Sequence, residues 1–311
     1  MTTTPKTTLP EEFSTYTREI MGEERWTRFA EAMDEEPPVS VRLNPMKFRS
    51  DSMALPAEED EPVEWCREGR YLKERPMFTL DPLLHAGAYY VQEAASMYIT
   101  QVIRDHAPAD RPLMVLDLCA APGGKSTAMR SVLPEGSLLM TNEPMRPRAN
   151  ILMENIQKFG HPDVIVTNNY AIDYQRSRLQ FDVILADVPC SGEGMFRKDE
   201  GAIREWSVAN VKKCAALQRE IITDIMPCLR DGGLLVYSTC TYNRQEDEEN
   251  VDFICSEWQM EKLSERHFIP GETRSEGLYM AALRQTGSDA SQQTTISMLD
   301  SSATKKDKKQ K

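Results

Sequence analysis

Apolar positions fall in two rhythms along this chain. Between residues 9 and 33 they recur at helical spacing, with Phe13, Ile20, Met21, Trp26 and Phe29 as candidate core anchors. The segment "SVRLNP", residues 40–45, reads as extended and stops at a proline, and the acidic run 58–61 before Pro62 reads as a surface loop. A helix is predicted over 92–106, entered through Gly87-Ala88-Tyr89-Tyr90. From residue 113 the rhythm changes. Short apolar runs at 113–118, 137–142, 163–167, Phe181–Asp187 and 233–238 predict buried strands, and 277–285 supplies a late one. Helix-period segments fill the gaps, notably Arg146–Phe159 and 208–229. Such alternation predicts an α/β fold with a parallel sheet and crossover helices. Residues 1–85 are expected to form a smaller, mostly helical N-terminal domain, 86–286 the main domain, and 287–311 a disordered tail rich in Ser, Thr, Gln and Lys.

Composition narrows the class. At 311 residues the chain has ample length for a large core, and no run of 18 apolar residues suggests a membrane span. The first residues lack the charged and apolar regions of a secretory signal. Seven cysteines without CxxC pairs, and four histidines outside any ligand pattern, argue against a disulfide framework and against a metal site. A reducing cytoplasm is the expected setting. The net charge of -12 speaks against a generally adhesive nucleic-acid binder, although a local basic groove can coexist with acidic outer faces. Arg42, Lys47 and Arg49 are the candidates for such a groove.

The stretch "MVLDLCAAPGGKST", residues 114–127, ends like a phosphate loop. A phosphate loop needs a glycine five positions before the one that precedes its lysine, and that position is Cys119. What remains is a strand feeding a glycine turn and a helix. In open α/β sheets ligands settle outside the carboxyl ends of the strands, so this turn is a candidate cofactor floor. Glu143 follows the second strand, where an acid can accept both hydroxyls of a ribose.

Two further strand ends carry chemistry. "DVPCSG" begins at Asp187 and "STCT" at Ser238, so Cys190 and Cys240 end strands expected to be neighbours in the sheet. A lone cysteine is usually a small apolar packer. Two facing one crevice, with Asp187 and Lys125 beside them, point to an activated thiolate.

The blocks "DLCAAPGGKS", "DVPCSGEGMFRKD" and "VYSTCTYNRQEDEEN", with "YYVQEAASM" and "GLYMAALRQ", resemble the Sun-domain (Fmu-type) RNA cytosine-5 methyltransferases, most closely their RsmF-like small-subunit rRNA branch. The resemblance implies a Rossmann-like S-adenosylmethionine fold and methylation of a cytosine in rRNA or, alternatively, tRNA. It implies Cys240 as nucleophile, Cys190 as the residue that assists product release, and Asp187 and Lys125 as groups that hold the base. It further assigns Cys119, Ala120, Ala121, Pro122, Gly123, Gly124, Lys125, Glu143 and Asp187 to the cofactor, with Asn168 or Asn169 on the adenine. The N-terminal unit would bind RNA. RsmF-like relatives continue into a C-terminal RNA-binding region, so the expectation is that the N-terminal unit, or a partner, supplies RNA affinity here. Val188 stands where the family usually has alanine, and "TNNY" where it usually has an acid. A DNA cytosine methyltransferase would instead use Cys190 as nucleophile, and an inactive RNA-binding scaffold would not need both cysteines, Asp187 and Lys125.

Overall fold

A computed structural model describes residues 8–286; the tail expected at 287–311 lies outside the described residues. The periodic segment 9–33 forms two helices, α1 (Glu11–Met21) and α2 (Glu23–Met33), parted by Gly22 at φ 76°. Helical character in the N-terminal unit then gives way to sheet. Strands β1 (Val39–Leu43), β2 (Glu59–Pro62) and β3 (Gly69–Leu72) follow, then the single turn α3 (Pro82–His85) and β4 (Tyr89–Val91). These four strands pair antiparallel in the order β2-β3-β1-β4. The acidic run expected as a loop is the exposed edge strand β2. Because β4 pairs with β1, the N-terminal sheet passes the boundary expected at residue 85 and reaches Val91. The helix expected over 92–106 is shorter, a 3-10 turn over Ala95–Tyr98 leading into α4 (Ile99–His106).

The main sheet is built from β5 (Met114–Asp117), α5 (Gly124–Arg130), β6 (Leu138–Asn142), α6 (Arg146–Phe159), β7 (Val164–Thr167), α7 (Ala171–Ser177) and β8 (Phe181–Asp187). Next come α8 (Glu200–Glu205), α9 (Val208–Ile225), β9 (Leu229–Thr239), α10 (Glu248–Trp258), β10 (Met260–Phe268) and β11 (Leu278–Gln285). Seven strands run in the order β10-β11-β9-β8-β5-β6-β7. The five from β9 to β7 are parallel; β11 is antiparallel to both its neighbours.

Strand β8 shows why the sheet is central. Val183 and Leu185 pack with Ala128 and Met129 of α5 and Ile99 and Val102 of α4 on one face. Ile184 and Ala186 pack with Ile222 and Ile225 of α9 and Val251 of α10 on the other. Each fully buried Leu or Ile of this kind contributes roughly 1.5–3 kcal/mol. Burial on both faces explains the apolar run 183–186.

The α1–α2 hairpin packs onto the main domain. Phe13 and Phe29 share a cluster with Phe196, Trp206 and Tyr242. Among the described residues no helix is long and apolar enough to cross a membrane.

Candidate active site

The order of the strands sets the site. Strand β5 leads to β6 on one side, while its other neighbour β8 leads to β9 on the opposite side. The connections therefore diverge, and a crevice opens at the carboxyl ends of β5 and β8. There the chain turns through Cys119 to Gly124. The Ala120 N–H donates to the Asn142 carbonyl at 2.8 Å and the Gly123 N–H to that of Ala120 at 2.7 Å. Gly123 has φ 109°, a conformation that L side chains rarely adopt, and it starts α5.

A cleft of about 460 Å³ occupies this end of the sheet. Of the residues expected at the site, Cys119, Ala121, Pro122, Lys125, Asp187, Cys190 and Cys240 line it. The Sγ atoms of Cys190 and Cys240 are 2.8 Å apart, and the Cys240 backbone N–H points at Cys190 Sγ at 3.3 Å. Lys125 Nζ donates to Asp187 Oδ2 at 2.9 Å. Its hydrogen bond to Cys240, together with burial, pushes the Cys190 thiol well above its usual value. Either sulfur can be the donor in that contact. Burial works against the Lys125 ammonium, yet the Asp187 carboxylate outweighs it and the pKa rises, so Lys125 stays charged. Burial also raises the Cys119 thiol, which argues for a packing role rather than a reactive one.

Glu143 and Asn168 stand beside this cleft. Glu143 is fully buried, accepts the Met145 N–H at 2.9 Å, and faces Arg148 Nη1 at 3.3 Å. Arg148, which the sequence did not single out, also donates to the Ala121 carbonyl at 3.1 Å and lines the cleft. Asn168 uses its amide on the backbone carbonyls of Glu143 and Pro144, at 2.7 and 2.9 Å, and so braces the ends of β6 and β7. Ala120 packs under Leu152 and Ile156. Arg42, a candidate for the basic groove, is 1% exposed and turned inward, so it cannot meet RNA; Arg49 is exposed.

Two buried carboxylate oxygens here are under-satisfied: Asp117 Oδ1 accepts no hydrogen bond, and Glu143 Oε2 has only the Arg148 guanidinium, at 3.3 Å. A ribose diol would supply the missing donors, and the glycine turn leaves room for close approach. These residues fit a nucleoside cofactor of the S-adenosylmethionine kind. Among the described residues no group of three or more His, Cys, Asp or Glu could hold a metal ion.

A buried polar network, which sequence reasoning missed, fixes both cysteine loops. Glu246 accepts from Ser191 N–H at 3.0 Å, Asn243 Nδ2 at 2.8 Å and Gln218 Nε2 at 2.7 Å. Glu193 accepts from Tyr242 N–H at 2.8 Å, Trp206 Nε1 at 2.9 Å and Asn243 Nδ2 at 3.1 Å. Gly194 N–H donates to the Cys240 carbonyl at 2.8 Å. Each acid sits a few residues past one cysteine and binds the loop of the other. That reciprocity sets the sulfur spacing.

Known proteins share this layout. A family profile described as 16S rRNA methyltransferase RsmB/F matches residues 106–284, and one described as the N-terminal domain of 16S rRNA methyltransferase RsmF matches 9–94. Ribosomal RNA small subunit methyltransferase F from Pectobacterium atrosepticum is 34% identical over 278 residues, 80% of this chain and 57% of the relative. The protein of the same name from Cronobacter sakazakii is 33% identical over 277 residues, with the same coverage. The chain thus spans 57% of the length of these relatives. Among solved structures, NSun6 from Pyrococcus horikoshii with SFG superposes with a TM-score of 0.78 at 19% identity, covering 90% of this chain and 99% of that one. A methyltransferase homolog from the same organism gives 0.72 at 23% identity, covering 89% and 100%. With the family profile matching more than half of its residues across the sheet and both cysteine loops, the chain belongs to the RsmB/F family of 16S rRNA methyltransferases.

Proposed function

We propose that this protein methylates carbon 5 of a cytosine in small-subunit rRNA, with S-adenosylmethionine as methyl donor. One observation carries the reading: two thiols 2.8 Å apart in a cleft that also holds an ammonium–carboxylate pair. The names of the curated relatives support the rRNA substrate. The N-terminal unit, residues 1–85 as first delimited, is the proposed RNA-binding part, and a reducing cytoplasm suits the free thiols.

Carbon 5 of cytosine is a poor nucleophile until a thiolate adds to carbon 6. Cys240 is the proposed nucleophile for that addition, with Cys190 Sγ 2.8 Å from its sulfur. Once the Cys240 sulfur is bonded to carbon, the hydrogen bond that keeps Cys190 protonated is gone. Cys190 can then pass its proton to solvent and, once carbon 5 carries the methyl group, take the carbon 5 proton as thiolate. The carbon–sulfur bond then breaks and Cys240 leaves as thiolate. Asp187 and Lys125 face the base edge, where a fixed charge pair steadies charge that builds on the ring. Glu143 holds the ribose, Asn168 fixes the strand ends beside it, and residues 119–124 form the floor. When bound, S-adenosylmethionine supplies an electrophilic methyl group on a positively charged sulfur. The base must be flipped out or unpaired to enter.

The test is incubation of the purified chain with tritiated S-adenosylmethionine and a 16S rRNA transcript, followed by bisulfite sequencing. The expected result is a single protected cytosine, lost in Cys240→Ala. Label incorporated with every cytosine converted would place the methyl group on another atom and end the proposal.

A further inference from the structure

We propose that Arg42, carried by the N-terminal sheet, is a positioning residue for the cofactor turn of the main domain. The inference rests on the reading of that turn as the S-adenosylmethionine floor. Arg42 sits in the middle of β1 and is one of the largest fully buried side chains. A buried guanidinium persists only when its donors are matched. Here they are matched largely by the turn and the first residues of α5. Arg42 Nη2 donates to Thr127 Oγ1 at 2.6 Å, and Nη1 and Nη2 lie 3.5 Å from the carbonyls of Thr127 and Gly124. The Thr127 hydroxyl passes the connection on, donating to the Gly123 carbonyl at 2.8 Å. Arg42 Nε donates to Gln92 Oε1 at 2.8 Å, so the residue after β4 fixes the guanidinium from behind. Burial brings the Arg42 pKa down to about 10, which leaves it charged at neutral pH.

The neighbours reinforce the same contact. A side chain at Gly124 would meet Tyr90 of β4 at 3.3 Å and Gln92 at 3.4 Å. The Tyr90 hydroxyl donates to the Pro122 carbonyl at 3.4 Å. The cofactor turn thus rests on a platform made by β1, β4 and the residue after it. Gly123, with its left-handed backbone, is held through Thr127 by a charge that belongs to another sheet. Losing that charge would leave the loop free to relax, and the cofactor would have to order it again on binding.

The experiment measures S-adenosylmethionine affinity by calorimetry on the full chain, for wild type, Arg42→Met, Arg42→Lys, Thr127→Val and Thr127→Ser, well below each melting temperature. Binding stoichiometry reports the folded fraction, so the affinity of folded molecules is read directly. Arg42→Met should raise the dissociation constant at least tenfold; Arg42→Lys should recover part of it, and Thr127→Ser, which keeps the hydroxyl, should stay near wild type. The Arg42→Met/Thr127→Val double variant should be no weaker than its weaker parent, because both cut one connection. If Arg42→Met does not fold, Arg42→Lys takes its place in the cycle. Unchanged affinity of the folded variants, or additive losses in the cycle, would overturn the proposal. Failure of wild type to bind S-adenosylmethionine would instead overturn the reading of the turn.

Discussion

Cys190 and Cys240 are 50 residues apart in the chain and 2.8 Å apart at their sulfurs. Neither loop makes this contact alone, since Glu246 reaches back to Ser191 and Glu193 to Tyr242. The pair separates two roles. Cys240→Ala should form no covalent complex with RNA. Cys190→Ala should still add to the base but eliminate slowly, so methylated RNA stays attached through denaturing electrophoresis. The double variant should show no adduct. A complex that persists in Cys240→Ala and vanishes in Cys190→Ala reverses the assignment.

Glu143 is the test of the cofactor end. S-adenosylmethionine should raise the melting temperature by mass action, whereas ATP should not, because Cys119 stands where a phosphate loop needs glycine. Glu143→Ala should lose most of that shift. Stabilisation by ATP alone would contradict the site as described.

Asp117 predicts a pH dependence of stability. Burial lifts its carboxyl from 3.8 to about 7; the Ser126 hydroxyl lowers it, and the nearby Asp187 raises it further. The folded protein therefore keeps a proton that the unfolded chain releases between about pH 4 and 7. Stability from this group is present at low pH and is lost as pH rises through that window. Urea midpoints at pH 5, 6, 7 and 8 should fall with pH, and Asp117→Asn should flatten the slope. A variant with the wild-type slope would assign the effect elsewhere.

Glu246 anchors three buried donors. Glu246→Ala would leave the Ser191 N–H without a partner, while the Asn243 and Gln218 amides keep their bonds to Glu193 and the Pro189 carbonyl, at a cost of about 3 kcal/mol. It should also slow methyl transfer by releasing the Cys190 loop. Chemical denaturation together with initial rates decides this; a stable variant with full activity would show that the loops hold without it.

The parts legible in the sequence were those whose burial is uniform. Strand β8 was read to the residue because both of its faces are covered. Strand β10, "MEKLSERHF", escaped because it lies at the sheet's end with mostly polar, half-exposed positions. Strand β2 looked like a loop for the same reason, all four residues being exposed. At the site, strand ends gave Cys190, Cys240 and Asp187, since residues at the ends of neighbouring parallel strands must converge, and the glycine turn after β5 gave Lys125. Glu193 and Glu246 lay inside the quoted blocks, but their crossed bonding depends on distances that no local pattern encodes. Arg42 was read as an RNA contact because arginines are seldom buried. Its partner Thr127 is 85 residues away.

The aromatic cluster of Phe13, Phe29, Phe196, Trp206 and Tyr242 limits how modular this protein can be. Phe196 and Tyr242 follow the two cysteines within a few residues, and their rings are packed against Phe13 and Phe29 from the first helices. An exchange of the first ninety residues for a foreign RNA-binding module would keep every strand of the parallel sheet. It would also strip the apolar backing from the segments that follow both thiols. Recombination within this family is thus constrained at a seam that strand topology alone does not reveal: the leading helices have to travel with the cysteine loops they shape.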